Sequence, residues 1–216
     1  MYQLFSEYGN KELKPEAAIT IEGGLQYYSA DDKFTARAVA FNRDVKDVIF
    51  FFYNPVTFVS QYINQDKQRD QGFELEASYK PSKKITIRSS YAFVDGEITT
   101  KTAGNKDTTY SNLLRRPRGS FNLDLAAQVT KSFFVSTHLL SVGTRDDAYF
   151  DPVSFSTIRS ALDSYALLDL YAEYGFIKNK LKLFADLRNI TNKQYVETSG
   201  FNTLRFTALG GVRFSF

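Results

Sequence analysis

Hydrophobicity in this chain repeats at every second residue, and it does so along almost the whole length. The carboxy-terminal stretch shows it best. Leu204, Phe206, Ala208, Gly210, Val212, Phe214 and Phe216 are apolar or small, and Arg205, Thr207, Leu209, Gly211, Arg213 and Ser215 between them are mostly polar. Side chains alternate across a β-strand, so such a stretch has one greasy and one wet face. The alternation recurs in residues 17–29, 73–79, 85–93, 121–129, 166–176 and 181–188, and two noisier segments, 33–53 and 132–143, are rich in aromatic and β-branched residues. No helix-period stripe competes.

The links between these nine segments are of two kinds. Short polar turns fall at 30–32, 81–84, 130–132 and 177–180; longer links fall at about 54–58, 96–114, 145–162 and 190–202. Short and long alternate, as in an up-and-down meander with tight turns at one rim and long loops at the other. The sequence therefore predicts an all-β chain forming a transmembrane antiparallel up-and-down β-barrel. A closed soluble ligand-binding barrel is the alternative, because alternation does not say which face is inside. The long charged residues Arg88, Lys182, Arg188, Arg205 and Arg213 favour a wide wet lumen. Ile19, Leu25, Leu123, Leu125, Leu168, Leu170, Leu183, Phe206 and Val212 are then expected to face lipid. Glu22, Asp124 and Asp169 are expected inside with the basic residues.

Composition agrees. The longest apolar run, Val48–Tyr53, is far too short for a spanning helix, which needs about 20 residues, whereas a barrel strand needs only about 9–11. The chain has 14 Tyr and 20 Phe, enough to supply aromatic girdles at two bilayer interfaces. With no Cys, neither a disulfide framework nor a thiolate metal site is on offer. A formal charge of +3, without basic runs, argues against nucleic acid. Met1-Tyr-Gln-Leu-Phe-Ser-Glu7 lacks the basic start and apolar core of a secretory signal, so the barrel reading implies that the chain is a piece of a longer exported protein.

Tyr8-Gly-Asn10-x-x-Leu13-x-Pro15-Glu16 precedes the first strand, and Tyr62-Ile-Asn64 precedes Gly72-Phe-Glu74. Leu113-Leu-Arg-Arg116-Pro, Gly143-Thr-Arg145 and Leu187-Arg-Asn-Ile-Thr-Asn-Lys-Gln-Tyr195 follow. In kind and in order these motifs resemble those of TonB-dependent outer-membrane receptors. The ending Gly211-x-x-Phe214-x-Phe216 resembles the signal read by the barrel-assembly machinery. Within the family the likeness is greatest to vitamin B12 (cobalamin) receptors, through Leu-Leu-Arg-Arg, Gly-Thr-Arg and Gly200-Phe-Asn-Thr203. The resemblance implies about nine carboxy-terminal strands of a 22-stranded barrel in the outer membrane of a Gram-negative bacterium. Residues 1–16 would be an extracellular loop and 17–216 the strands, with the plug domain, and with it the contact to TonB, outside this sequence. The implied function is import of a scarce large nutrient, cobalamin ahead of a ferric siderophore, with membrane lipid and lipopolysaccharide around the wall and no cofactor.

The resemblance carries substrate contacts onto Arg115, Tyr149, Phe150 and Phe201; a guanidinium donates in a fork, and an aromatic ring stacks on a large planar ligand. The plain alternative is that Arg115, Arg116 and Arg118 pair with loop carboxylates or lipopolysaccharide phosphates. His138, the lone histidine, is expected to be an ordinary wall residue, since a metal site needs several ligands. Asp146, Asp147 and Asp151 match no EF-type calcium loop and are expected to be solvated. Asn189-Ile-Thr191 fits a glycosylation sequon by accident. Glu74 with Glu76, and Asp169 with Glu173, mimic a glycosidase pair but are better explained as lumen carboxylates. One His and no Gly-x-Ser-x-Gly leave no basis for an enzyme.

Overall fold

A computed structural model describes residues 2–53, 58–101, 107–111, 114–154, 156–177 and 180–215. After a one-turn helix, α1 (Tyr2–Phe5), the chain is all strand: β1 (Ala17–Tyr28), β2 (Phe34–Tyr53), β3 (Ser60–Ser82), β4 (Ile85–Lys101), β5 (Asp107–Ser111), β6 (Gly119–Gln128), β7 (Phe133–Val142), β8 (Arg145–Asp151), β9 (Ser156–Leu162), β10 (Tyr165–Phe176), β11 (Leu181–Arg188) and β12 (Thr207–Phe214). The hydrogen-bonded order is β1-β2-β3-β4-β6-β7-β10-β11-β12, a nine-strand path that follows the sequence. Among the described residues β5 pairs with β4, and β8 with β9. The expected links at 96–114 and 145–162 are therefore not plain loops. They contain strands off the nine-strand path: β5 pairs with the extension of β4 to Lys101, and β8 and β9 form a separate two-stranded sheet. The last strand starts at Thr207, later than the alternation from Leu204 suggests.

By contacts the chain forms two units, residues 1–23, 40–72 and 95–113, and residues 24–39, 73–94 and 114–216. In the first, the Tyr8-Gly-Asn10 motif is a backbone splice. Tyr62 N donates to Tyr8 O at 3.1 Å, and Asn10 Nδ2 returns to Tyr62 O at 3.0 Å. Asn64 Oδ1 accepts from Lys14 N at 2.8 Å while its Nδ2 donates to Lys14 O at 2.9 Å. Glu16 Oε1 accepts from Ile49 N at 2.7 Å. Gly9 is required, because a Cβ there would lie 2.6 Å from Leu4 O. Val45, Val48 and Ile98 form the small buried core, and buried Asp70 pairs with Arg43.

In the second unit the sheet is a single layer with two chemically distinct faces. One row across it reads Ile87, Leu125, Thr137, Leu170, Leu187, Ala208 in direct register. The lone hydroxyl in that row, Thr137 Oγ1, is satisfied by donating to Asp169 O at 2.8 Å. The adjacent row reads Arg88, Asp124, His138, Asp169 on the opposite face. Few residues are buried on either face, and leucines such as Leu25 stand 82 % exposed. An uncovered apolar face of that extent marks a surface for lipid or for a partner, and strands of a membrane barrel turn such a face to lipid. On the polar face, Glu173 is held between Lys182 Nζ at 2.7 Å and Arg213 at 3.5 Å, with Tyr171 donating at 3.0 Å. Phe184 joins them: its ring stacks on Tyr171 with centroids 6.2 Å apart and lies over Gly211. A Cβ at Gly211 would come within 2.5 Å of that ring, a direct packing reason for the glycine of the carboxy-terminal motif. Phe214 pairs with Leu181, while Phe216 lies outside the described residues.

Candidate functional site

The wall sends three long connections to one place in the second unit, and Asp147 is where they meet. Asp147 lies on β8 with no solvent exposure. Its Oδ1 accepts from Arg115 Nε at 2.6 Å and from Ala148 N at 2.8 Å; its Oδ2 accepts from Ser199 N at 2.7 Å. Burial disfavours the charged carboxylate. The Ser199 N–H, the Arg115 guanidinium, the Ser199 hydroxyl and the Ala148 N–H outweigh that penalty and hold the group at about 2. Arg115 N also donates to Asp146 O at 2.7 Å, with φ at +61°. One carboxylate thus fastens the 114–118 segment, the β8–β9 hairpin and the loop after β11.

Arg145, the arginine of Gly-Thr-Arg, makes a second fastening. It is buried, donates to Val196 O at 2.8 Å and Asp163 O at 3.2 Å, and packs 5.0 Å from the Tyr165 ring centre. Tyr165 in turn lies against Tyr195, the rings tilted by 37° with centroids 4.5 Å apart, and Ser160 meets Ser199 hydroxyl to hydroxyl at 2.9 Å. Asn189 starts the loop with φ at +50°. Its Oδ1 accepts from Lys193 N and its Nδ2 donates to Lys193 O, both at 2.8 Å. Buried and fully engaged, Asn189 cannot serve as a glycosylation acceptor.

The residues proposed from sequence fall on these three segments. Arg115 is half exposed but engaged with Asp147. Tyr149 is exposed on β8, opposite Ile158; Phe150 follows, opposite Thr157, its side chain outside the described residues. Phe201 is 70 % exposed two residues beyond Ser199, next to Gly200 at φ +83°. The sequence reading missed Asp147 as the organiser, having grouped it with solvated loop acids; its complete burial corrects that expectation. Asp151 is separate and closes its own turn. Ser154 Oγ, Ser154 N and Val153 N donate to it and hold its pKa below the usual carboxylate range. No group of three or more metal-ligating side chains exists among the described residues. His138 is a wall residue with Nδ1 2.8 Å from Asp124 Oδ1. A recess of about 290 Å³ on the polar face is lined by Arg37, Glu76, Arg88 and Asp124 among others.

The fold is a nine-strand antiparallel meander, one face apolar and the other charged, and residues 1–190 match the family "TonB dependent receptor-like, beta-barrel". The chain belongs to that family. Among solved structures it resembles the ferripyoverdine receptor of the outer membrane of Pseudomonas aeruginosa, with 17 % identity, 96 % of this chain and 28 % of that chain covered, and a TM-score of 0.74. It resembles the ferric-catecholate import receptor Fiu from Escherichia coli K12 at 19 % identity, covering 99 % of this chain and 30 % of that one, with a TM-score of 0.73. The copper transporter OprC aligns at 22 % identity over 95 % of this chain and 32 % of that one, with a TM-score of 0.69. At these identities the likeness is one of fold, and the chain spans about a third of the length of those structures.

Proposed function

We propose that this chain forms the carboxy-terminal part of the barrel of a TonB-dependent import receptor, and that its Asp147-fastened loops are one wall of the outer ligand site. The convergence on Asp147 of the three segments carrying Arg115, Tyr149–Phe150 and Phe201 carries the reading. A preorganised loop set presents aromatic surface without first having to order itself. A ferric siderophore is the first ligand class. Solved relatives of the same fold bear the names of ferripyoverdine and ferric-catecholate receptors. Arg115, with its Nε tied to Asp147, orients loops more than it reaches for cargo. Cobalamin is the second reading, favoured by the Gly200-Phe-Asn-Thr203 loop, whose ring stands free to stack on a corrin.

The test is binding of a ferric catecholate, ferripyoverdine and cyanocobalamin to the full-length receptor and to its Tyr149→Ala and Phe201→Ala variants. Loss of about tenfold in affinity for an iron chelate, as expected for one aromatic contact of about 1.5 kcal/mol, supports the siderophore reading. The same loss for the corrinoid alone supports cobalamin. Unchanged affinity for all three removes these residues from the site.

A further inference from the structure

The short turns share a chemistry that neither the ligand site nor the wall uses. The first holds Asp31, Asp32 and Lys33, and Lys33 is neutralised by Asp31 at 2.9 Å. Along the rim from there stand Lys80 at the end of β3 and, in the turns, Lys83, Lys84, Lys131 and Lys180, with no acid among the described turn residues. Inter-strand backbone bonds set these turns in one row. Lys80 N donates to Lys33 O at 2.7 Å, Gln128 N to Lys84 O at 2.8 Å, Gly175 N to Ser132 O at 2.7 Å and Ser215 N to Lys180 O at 2.8 Å. All five lysines are exposed. Beside them, Tyr79, Tyr174, Phe176, Ile177 and Phe214 are exposed too. The rings are grouped: Phe133 lies 6.4 Å from Tyr174, and Tyr174 4.7 Å from Phe176.

We propose that this lysine rim, seated on the aromatic band, binds the headgroups of anionic glycerophospholipids in the bilayer leaflet that adjoins the short turns. Aromatic rings fix the depth of a wall at the membrane–water interface, which brings the neighbouring ammonium groups level with lipid phosphates. A lysine there buries its stem along the apolar band and keeps its charge in the headgroup layer. Several lysines at one level add their attraction to a negatively charged leaflet. A bilayer fits better than an acidic protein because the charges continue directly from the apolar face instead of from a separate patch. The inference rests on the outer-membrane placement of the wall, and insertion into a purely zwitterionic bilayer reports on that placement separately.

The experiment uses the full-length receptor in nanodiscs of phosphatidylethanolamine with or without phosphatidylglycerol, followed by native mass spectrometry of the retained lipids. Wild type is expected to insert into both and to retain phosphatidylglycerol over phosphatidylethanolamine by about tenfold, a preference that high salt abolishes. Lys83→Gln/Lys84→Gln/Lys131→Gln/Lys180→Gln should lose most of it, whereas Lys11→Gln/Lys14→Gln should keep it. The salt dependence of the wild type tests the idea even where the quadruple variant assembles poorly. Equal retention of the two lipids, or a preference indifferent to salt and to these lysines, overturns the proposal. Retention of lipopolysaccharide instead, lost with the same lysines, places the rim at the other leaflet. Capture of a soluble glutamate-rich peptide without lipid preference assigns the rim to a protein partner. Either of these two results overturns it as well.

Discussion

Arg115 and Asp147 join a half-exposed guanidinium to a carboxylate without solvent exposure, Nε to Oδ1 at 2.6 Å, and through that carboxylate Arg115 is tied to Ser199. An arginine that the sequence marks as a ligand contact is thus a fastener of the loops that carry the other candidate contacts.

Asp147→Asn keeps the shape and removes the charge. The loss of a charged hydrogen bond is worth roughly 1.5–3 kcal/mol. Limited proteolysis of the full-length receptor should therefore cut the β8–β9 hairpin and the 190–206 loop faster, with the barrel's melting unchanged. Equal cleavage of variant and wild type would show that the carboxylate is not the fastener.

The same group sets an acid limit. Its folded pKa of about 2 lies below the ordinary 3.8, so its stabilisation is fully present above about pH 4 and disappears as pH falls through 2. Protection of the loop after β11 against an acid-active protease should decline over that window more steeply in wild type than in Asp147→Asn. A wild-type loop that opens near neutral pH would contradict the assignment.

Leu125→Arg should block assembly in the outer membrane, because a charge on the lipid face near mid-wall costs about 2–4 kcal/mol. Ser136→Arg, on the polar face beside Asp169 and Asp186, should assemble normally. Heat-modifiable mobility of the two variants measures the difference, and equal assembly would mean that the faces are reversed.

Asn64→Ala removes a side chain that bonds both backbone groups of Lys14, and Gly9→Ala places a methyl against Leu4 O. Each should free the amino-terminal segment, at about 1–3 kcal/mol for the unsatisfied groups. Hydrogen exchange of residues 2–14 is the readout. Unchanged protection would make the Tyr8-Gly-Asn10 motif something other than a splice.

Much of this fold is legible in the sequence, because a period of two is set by the pleat itself. β11 coincides with the alternating segment 181–188, and β6 and β10 agree with theirs within two residues. The hairpins β4–β5 and β8–β9 were not legible. Asp146, Asp147, Arg159 and Ser160 make β8 and β9 polar on both faces, so no period-two apolar stripe marks them. Asp147 escaped for a related reason. A buried loop carboxylate and a solvated one look alike until the chain brings Arg115 and Ser199 to it.

Phe184 over Gly211 makes two positions on neighbouring strands dependent on each other's history. Alanine at 211 requires the Phe184 ring to give way, and that requirement vanishes once 184 has shrunk to a small residue. The order in which the two positions change therefore matters, and a paired substitution library read out by surface assembly should favour the Phe184→Ala/Gly211→Ala genotype over Gly211→Ala alone.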